Sequence, residues 1–127
     1  MRQTLLAGAT FVVVTQGAVA QDIAAGETSF RSCQPCHTIG ENARSGLGPV
    51  LNGLDGRMAG TVVNVAYSEG LKSSGITWGE ETFKEYIKDP RGKIPDSTMF
   101  FPGIKDEKEI SNLWAYLKQF GPDGKKK

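Results

Sequence analysis

Apolar positions in this chain recur with helical spacing in three places, and the segments between them carry glycine rather than an alternating pattern. The first helix is expected from about Asp22 to Cys33 and Cys36, with Asp22 as its cap and Ile23 and Phe30 on one face. The second opens on Thr77-Trp78-Gly79-Glu80, read as a capping box, carries Phe83, Tyr86 and Ile87, and stops at Pro90. The third begins at Asp106 with Glu109 three residues on. It places Ile110, Leu113, Trp114 and Leu117 at i, i+3, i+4 and i+7 before Gly121-Pro122 ends it. About forty residues separate the first two helices, punctuated by Gly40, Gly46, Gly48, Gly53, Gly56, Gly60, Gly70 and Gly75, and connections that long are uncommon unless they wrap something or work. The pattern predicts an all-α domain without a strand of useful length. Three main helices and long loops fold round an object the chain does not itself supply.

Upstream of Gln21 the pattern changes. Met1-Arg2-Gln3 is a short basic start, Thr4 to Val14 is mostly apolar and uncharged, and Ala18-Val19-Ala20 has the small-x-small form of a secretory cleavage site. The apolar run falls well short of the ~20 residues a spanning helix needs. Residues 1–20 are therefore expected to be a signal peptide cleaved after Ala20, with residues 21–127 as the functional domain. Gln21 would then lead the mature chain, where its amine can cyclise onto its own side-chain amide to give pyrrolidone carboxylic acid. Export would put the cysteines in an oxidising compartment, the periplasm in a bacterium.

Composition narrows the function classes. Lys+Arg 15 against Asp+Glu 14 gives a formal charge of +1, which becomes zero when Arg2 leaves with the leader. The one basic run, Lys125-Lys126-Lys127, is not the clustered face a nucleic-acid partner would require, so none is expected. Apolar residues at 39% and a mean hydropathy of −0.30 suit a globular chain. With 16 glycines, two cysteines and a single small domain, the chain is short of material to complete a core alone.

Cys33-Gln34-Pro35-Cys36-His37 identifies the missing material, because C-x-x-C-H is the attachment sequence of c-type haem. Two thiols three residues apart on one helical turn reach the two vinyl groups on one porphyrin edge and form thioethers. His37 is then carried beneath the ring to bind iron, and it is the only histidine in the chain. A thioredoxin-type pair would want a βαβ setting, a zinc site would have three of its four ligands, and a bare disulfide leaves the core incomplete. The sixth iron ligand must come from elsewhere. Once Met1 is removed, Met58 and Met99 remain. Met99 sits in a loop stiffened by Pro95 and Pro102, and Met58 in the flexible Gly56-Arg57-Met58-Ala59-Gly60. Spacing alone leaves both open, with Met99 the better placed.

Further landmarks surround the motif: Gly26 and Phe30, the run Gly46-Leu47-Gly48-Pro49-Val50-Leu51-Asn52-Gly53, then Leu54-Asp55-Gly56-Arg57, Tyr67, Gly75-Ile76-Thr77-Trp78, Tyr86, Ile94-Pro95, and Leu113 with Tyr116. Over essentially all of residues 21–127 the chain resembles class I cytochrome c, the mitochondrial type and its periplasmic bacterial relatives. The resemblance implies the cytochrome c fold and one haem c, covalent through Cys33 and Cys36, with iron between His37 and Met99. It implies that the Pro49 carbonyl accepts the imidazole N–H, and that Arg57, Tyr67 and Trp78 donate to the haem propionates, whose buried charge needs partners. Leu71 departs from the asparagine common at its position. Ser32, Thr98 and Asp106 stand where lysine is frequent, while Arg91, Lys93 and Lys105 remain.

By the same resemblance the chain is expected to be a soluble monomeric one-electron carrier and not an enzyme. It would take electrons from a membrane quinol-oxidising cytochrome complex and pass them to an oxidase, a reaction centre or another acceptor, without inserting in the membrane. The alternative is a c-type haem protein with an open iron position that binds gas or peroxide.

Overall fold

A computed structural model describes residues 5, 7–14 and 21–127. The expectations for Met1-Arg2-Gln3 and for the cleavage motif Ala18-Val19-Ala20 lie outside the described residues. Five helical segments follow one another: α1 (Ile23–Phe30), α2 (Glu69–Lys72), α3 (Glu80–Lys88), α4 (Pro90–Lys93) and α5 (Glu107–Leu117). The three main helices are α1, α3 and α5. Among the described residues the only β pairings are two isolated antiparallel bridges, Met58–Thr77 and Phe120–Lys126.

Local chemistry sets each helix end. Asp22 accepts from the Ala25 N–H at 3.0 Å, and Asp106 from the Glu109 N–H at 2.8 Å, so both expected aspartate caps form. The start of α3 differs from the expected box. Its N-cap is Gly79, which has no side-chain acceptor, and Thr82 supplies one by reaching back to the Gly79 N–H at 2.9 Å. The same hydroxyl donates to the Thr77 carbonyl at 2.8 Å, so Thr77 stays outside the helix and anchors it from there. The single turns α2 and α4 are too short for a periodic signal. They exist because Ser68 caps the Leu71 N–H at 3.2 Å, and Asp89 caps the Gly92 N–H at 3.0 Å with Pro90 preset at the first helical position.

The core forms where α1 crosses α5. The buried face of α1 holds Gly26 and Phe30, whereas Ile23 is 46% exposed and does not share it, because the contact with α5 is narrow. A Cβ built on Gly26 would lie 2.0 Å from the Asn112 carbonyl oxygen and 2.9 Å from the Tyr116 Cβ. The approach is backbone to backbone, next to Leu113, which is itself completely buried. Phe30 packs on Tyr116 at 5.5 Å between ring centroids, Phe83 on Trp114 at 5.2 Å, and Tyr116 on Phe120 at 5.4 Å. At the chain entry the Asp22 N–H donates to Asn112 Oδ1 at 2.8 Å, and Gln21 Nε2 donates to Glu80 Oε1 and Ser111 Oγ, both at 3.0 Å. Helix α3 joins this pair through its apolar face and through Glu107, whose carboxylate takes Lys84 Nζ at 2.6 Å and also Lys88 Nζ. Those two hydrogen bonds hold the Glu107 carboxyl below its ordinary range.

Two outcomes follow from this packing. Gly26→Ala should lower stability by about 2–3 kcal/mol, measured as a fall in the urea midpoint, since a methyl there must push two backbones apart. Glu107→Gln should cost little, and in a pH-dependent way. A carboxyl with a lowered folded pKa stabilises above its unfolded value and loses that contribution as pH falls through the folded one. The midpoint gap between wild type and Glu107→Gln should therefore be present at neutral pH and close below about pH 4.

Candidate functional site

Helix α1 does not stop abruptly at Phe30. Its winding continues through Cys33 N–H to Phe30 O at 2.8 Å, Cys36 N–H to Cys33 O at 3.1 Å and His37 N–H to Cys33 O at 2.9 Å. The turn leaves Cys33 half-buried, Cys36 exposed and His37 buried, with both thiols free. Burial pushes the Cys33 thiol up.

His37 Nδ1 lies 2.8 Å from the Pro49 carbonyl oxygen, which can only accept. Nδ1 therefore carries the proton of the neutral ring, and Nε2 keeps its lone pair for a metal. Burial lowers the imidazole pKa, opposed by the Pro49 bond and aided by Arg57, and this favours the neutral ligand form. The ring lies directly on Gly48, where an added Cβ would come within 2.5 Å of Cε1. Gly48 N–H to Cys36 O at 2.9 Å and Leu51 N–H to Thr38 O at 3.0 Å tie this loop to the cysteine turn. One folded strip thus carries the two thiols, the imidazole and the carbonyl that orients it.

Met99 comes from the loop after α4. Its N–H donates to Ser97 Oγ at 3.2 Å, and the same oxygen lies 3.1 Å from the Tyr86 hydroxyl of α3. Ser97 is buried, and its hydroxyl is the link between the methionine loop and the helix. The loop ends at Gly103, whose φ of +107° sets its Cα against the Lys88 carbonyl, and Ile104 N–H then bonds Ile87 O at 2.9 Å. Met99 is half-buried against the core. Met58, by contrast, is 54% exposed in the bridge to Thr77. Sequence reasoning assigned no role to Ser97; its signal was a hydroxyl two residues before the methionine, opposite a tyrosine on a buried face.

The three expected propionate donors are placed differently from one another. Arg57 Nη1 donates to the Val50 carbonyl at 2.8 Å and the Asn52 carbonyl at 3.1 Å, so part of its fork is used by backbone, and burial draws its pKa down. Trp78 is joined to it by Trp78 N–H to Arg57 O at 2.9 Å, and its buried indole packs 5.2 Å from Tyr86. Tyr67 is brought instead to its own loop, where its hydroxyl accepts from the Val62 N–H at 3.2 Å. An open groove of about 540 Å³ runs past Arg57, Val50, Asn52 and Pro122, and its lining includes none of Cys33, His37 or Met99. Leu71, at the departure position, is half-buried and packs on the core as an apolar residue.

This donor set suits a covalent c-type haem better than a bare ion. The described residues contain no group of three or more His, Cys, Asp or Glu placed to hold a metal. They do contain two thiols on one turn, an imidazole with its second nitrogen fixed, a thioether on a braced loop, and apolar Ile39, Leu71, Ile76 and Phe101 at the edge of the core. Ser97→Ala should lower stability by about 1–2 kcal/mol in urea unfolding, because Tyr86 and the Met99 N–H lose one shared partner. Adding Tyr86→Phe to that variant should cost little more, a non-additivity that a double-mutant cycle measures.

Comparison with known proteins gives one family. The family model for cytochrome c matches residues 23–121. The chain is 61% identical over 107 residues to a cytochrome c2 of Rhodoplanes tepidamans, covering 84% of this chain and 100% of that protein. It is 50% identical over 125 residues to a cytochrome c-554 of Methylosinus trichosporium, covering 98% and 95%. Among solved structures, cytochrome cH from Methylobacterium extorquens superposes with a TM-score of 0.72 at 42% identity, covering 76% of this chain and 97% of that one. The turn of two thiols and a held imidazole, the methionine loop and these matches together place the chain in the cytochrome c family, as a bacterial class I member.

Proposed function

We propose that this chain is a soluble periplasmic shuttle that holds haem iron between His37 and Met99 and exchanges single electrons with membrane-bound redox complexes. As a cytochrome c it is an electron carrier and not an enzyme, with one haem c covalently attached through Cys33 and Cys36. When bound, the haem supplies a reversible Fe(III)/Fe(II) couple. The remaining chemistry belongs to the protein.

His37 presents Nε2 in a fixed orientation because Pro49 holds Nδ1, and that bond also raises the basicity of the ligand. As a ligand, the Met99 thioether would favour the ferrous state and a raised potential. His37 and Met99 would both be used in holding the haem iron, which would leave no position for a gas or peroxide and favours the carrier over the open-site alternative. Arg57 keeps N–H donors beyond those given to Val50 and Asn52, and the Tyr67 hydroxyl, accepting from Val62, still has its proton to give. These two and the Trp78 indole are assigned to the propionates. The observation that carries the whole reading is the His37–Pro49 bond within the C-x-x-C-H turn.

Export is supported by the leader pattern and by a length match. A 107-residue stretch spans the whole Rhodoplanes relative, and 107 residues remain here after cleavage at Ala20. Residues 21–127 are then the cytochrome domain. Cyclisation of Gln21 would expel its side-chain nitrogen as ammonia and remove the bonds to Glu80 and Ser111. The donor is assigned as a quinol-oxidising cytochrome complex and the acceptor as an oxidase or reaction centre, met by a monomer of near-zero net charge.

Absorption spectroscopy of the ferrous and ferric protein tests the ligand set. Wild-type ferrous protein should be unchanged by carbon monoxide. Met99→Ala should bind the gas and lose the ferric sulfur-to-iron charge-transfer band, while Met58→Ala keeps that band. Loss of the band in Met58→Ala, or rapid gas binding by wild type, would overturn the assignment.

A further inference from the structure

The ties described so far fasten the Met99 loop to α3, through Ser97 on Tyr86 and Ile104 on Ile87. One more leaves the loop in another direction. Gly70 N–H, in α2, donates to Asp96 Oδ2 at 3.0 Å across 26 residues of sequence. A Cβ on Gly70 would run into Oδ1 of the same carboxylate and stand 3.2 Å from Ile94 Cγ2, so the backbone of α2 lies directly against residues 94–96. Pro95 stiffens the stretch between these two contacts. Among the described residues no other hydrogen bond or ion pair joins residues 94–104 to α2.

The α2 end of this tie is well anchored. Ser68 caps the helix through the Leu71 N–H, and Leu71 packs on the core. Gly60 is pressed on Lys72, where an added Cβ would stand 3.0 Å from the lysine Cα, and Ala59 N–H bonds Ile76 O at 2.8 Å. These contacts bind α2 into the loop that runs from Arg57 to Trp78, which is itself closed by Trp78 N–H to Arg57 O at 2.9 Å. Asp96 thus joins the segment carrying the expected propionate donors to the segment carrying Met99, three residues further on. Asp96 enters no ion pair among the described residues, so its hydrogen bond to α2 is what places it.

We infer that Asp96 is a positioning residue for the axial ligand, a strap that holds the Met99 loop against α2 and limits its opening. The inference rests on the reading of Met99 as an iron ligand. A loop fastened to α3 alone can pivot about that edge, and a second fastening to α2 removes the pivot. Opening the loop must break the Gly70–Asp96 bond but leaves the contact of α1 with α5 intact. Losing a hydrogen bond of this kind shifts such an opening by about 3- to 10-fold. A base that reaches iron only in the open form then binds more tightly by the same factor, since its apparent affinity scales with the open population.

Two measurements on the haem-loaded protein test this. Imidazole is titrated into the ferric form and followed by the charge-transfer band, and amide hydrogen exchange of the ferrous form is read at Ser97 and Met99. Asp96→Ala should raise the imidazole affinity and speed both amides by about 3- to 10-fold. Asp96→Asn keeps an acceptor oxygen and should stay within about twofold of wild type. Gly70→Ala pushes the carboxylate away from the other side, and the double variant Gly70→Ala, Asp96→Ala should show no more than either single change. Gly26→Ala, which lowers global stability without touching the loop, should leave both readouts unchanged. No effect of Asp96→Ala, an Asp96→Asn variant as loose as Asp96→Ala, or an equal effect of Gly26→Ala would each overturn the inference. Faster loop exchange in Asp96→Ala with imidazole affinity unchanged would uphold the strap and overturn instead the assignment of Met99 to iron.

Discussion

The structure depends on one close approach, the backbone contact of α1 with α5 at Gly26 and the Asn112 carbonyl. Through α1 it determines where the cysteine turn begins, because hydrogen-bonded turns carry the winding on from Phe30 to His37. Through α5 it determines where the chain leaves the core, and hence where the 119–127 hairpin seats Gly53. The loop between, from Gly46 to Arg57, is tied to the first end by Gly48 and Leu51 and to the second by Gly53. A displacement of α1 from α5 by one methyl is therefore transmitted to both sides of His37. A small domain whose loops outnumber its helices has few other ways to hold a ligand still.

Electrostatics divides the molecule in the same way. The polar groups near the site are each partnered: His37 with Pro49, Ser97 with Tyr86 and the Met99 N–H, and half-buried Arg57 with Val50 and Asn52. No buried side-chain N or O among the described residues lacks a partner. Such matching would limit rearrangement when the charge on a bound iron changes, which is what a one-electron carrier requires, since each rearrangement on transfer would slow it. The surface ion pairs are exposed and contribute little individually.

How much of this was legible in the sequence follows from how local each signal is. The C-x-x-C-H turn, the aspartate caps at 22 and 106 and the apolar face of α5 are written within a few residues, and each was read there. The Gly79 cap was misplaced to Thr77 because the true acceptor, Thr82, lies inside the helix and reaches backward. Ile23 was assigned to the buried face because periodicity cannot tell that the α1 contact is only as wide as a glycine and a phenylalanine. The turns α2 and α4, Ser97 and the seating of the hairpin depend on partners 11 to about 70 residues away or on single caps, below what any pattern reports. The lysine run was visible, but its order was not.

Met58 and Met99 show why spacing alone could not choose a ligand. Both are flexible thioethers with a proline or glycine nearby, and intrinsic chemistry does not separate them. What separates them is the cost of holding sulfur in one place. Met99 has that cost met by three independent tethers on its loop: Ser97 beneath its N–H, Gly103 pressed on the Lys88 carbonyl, and Ile104 bonded to Ile87. Met58 has a bridge to Thr77 that organises its backbone but leaves the residue 54% exposed. A thioether is a weak ligand for ferric iron, so its bond survives only if the loop forfeits little entropy in making it. The braced loop has already lost that freedom on folding. The proposed choice of Met99 therefore rests on its tethers more than on its sulfur.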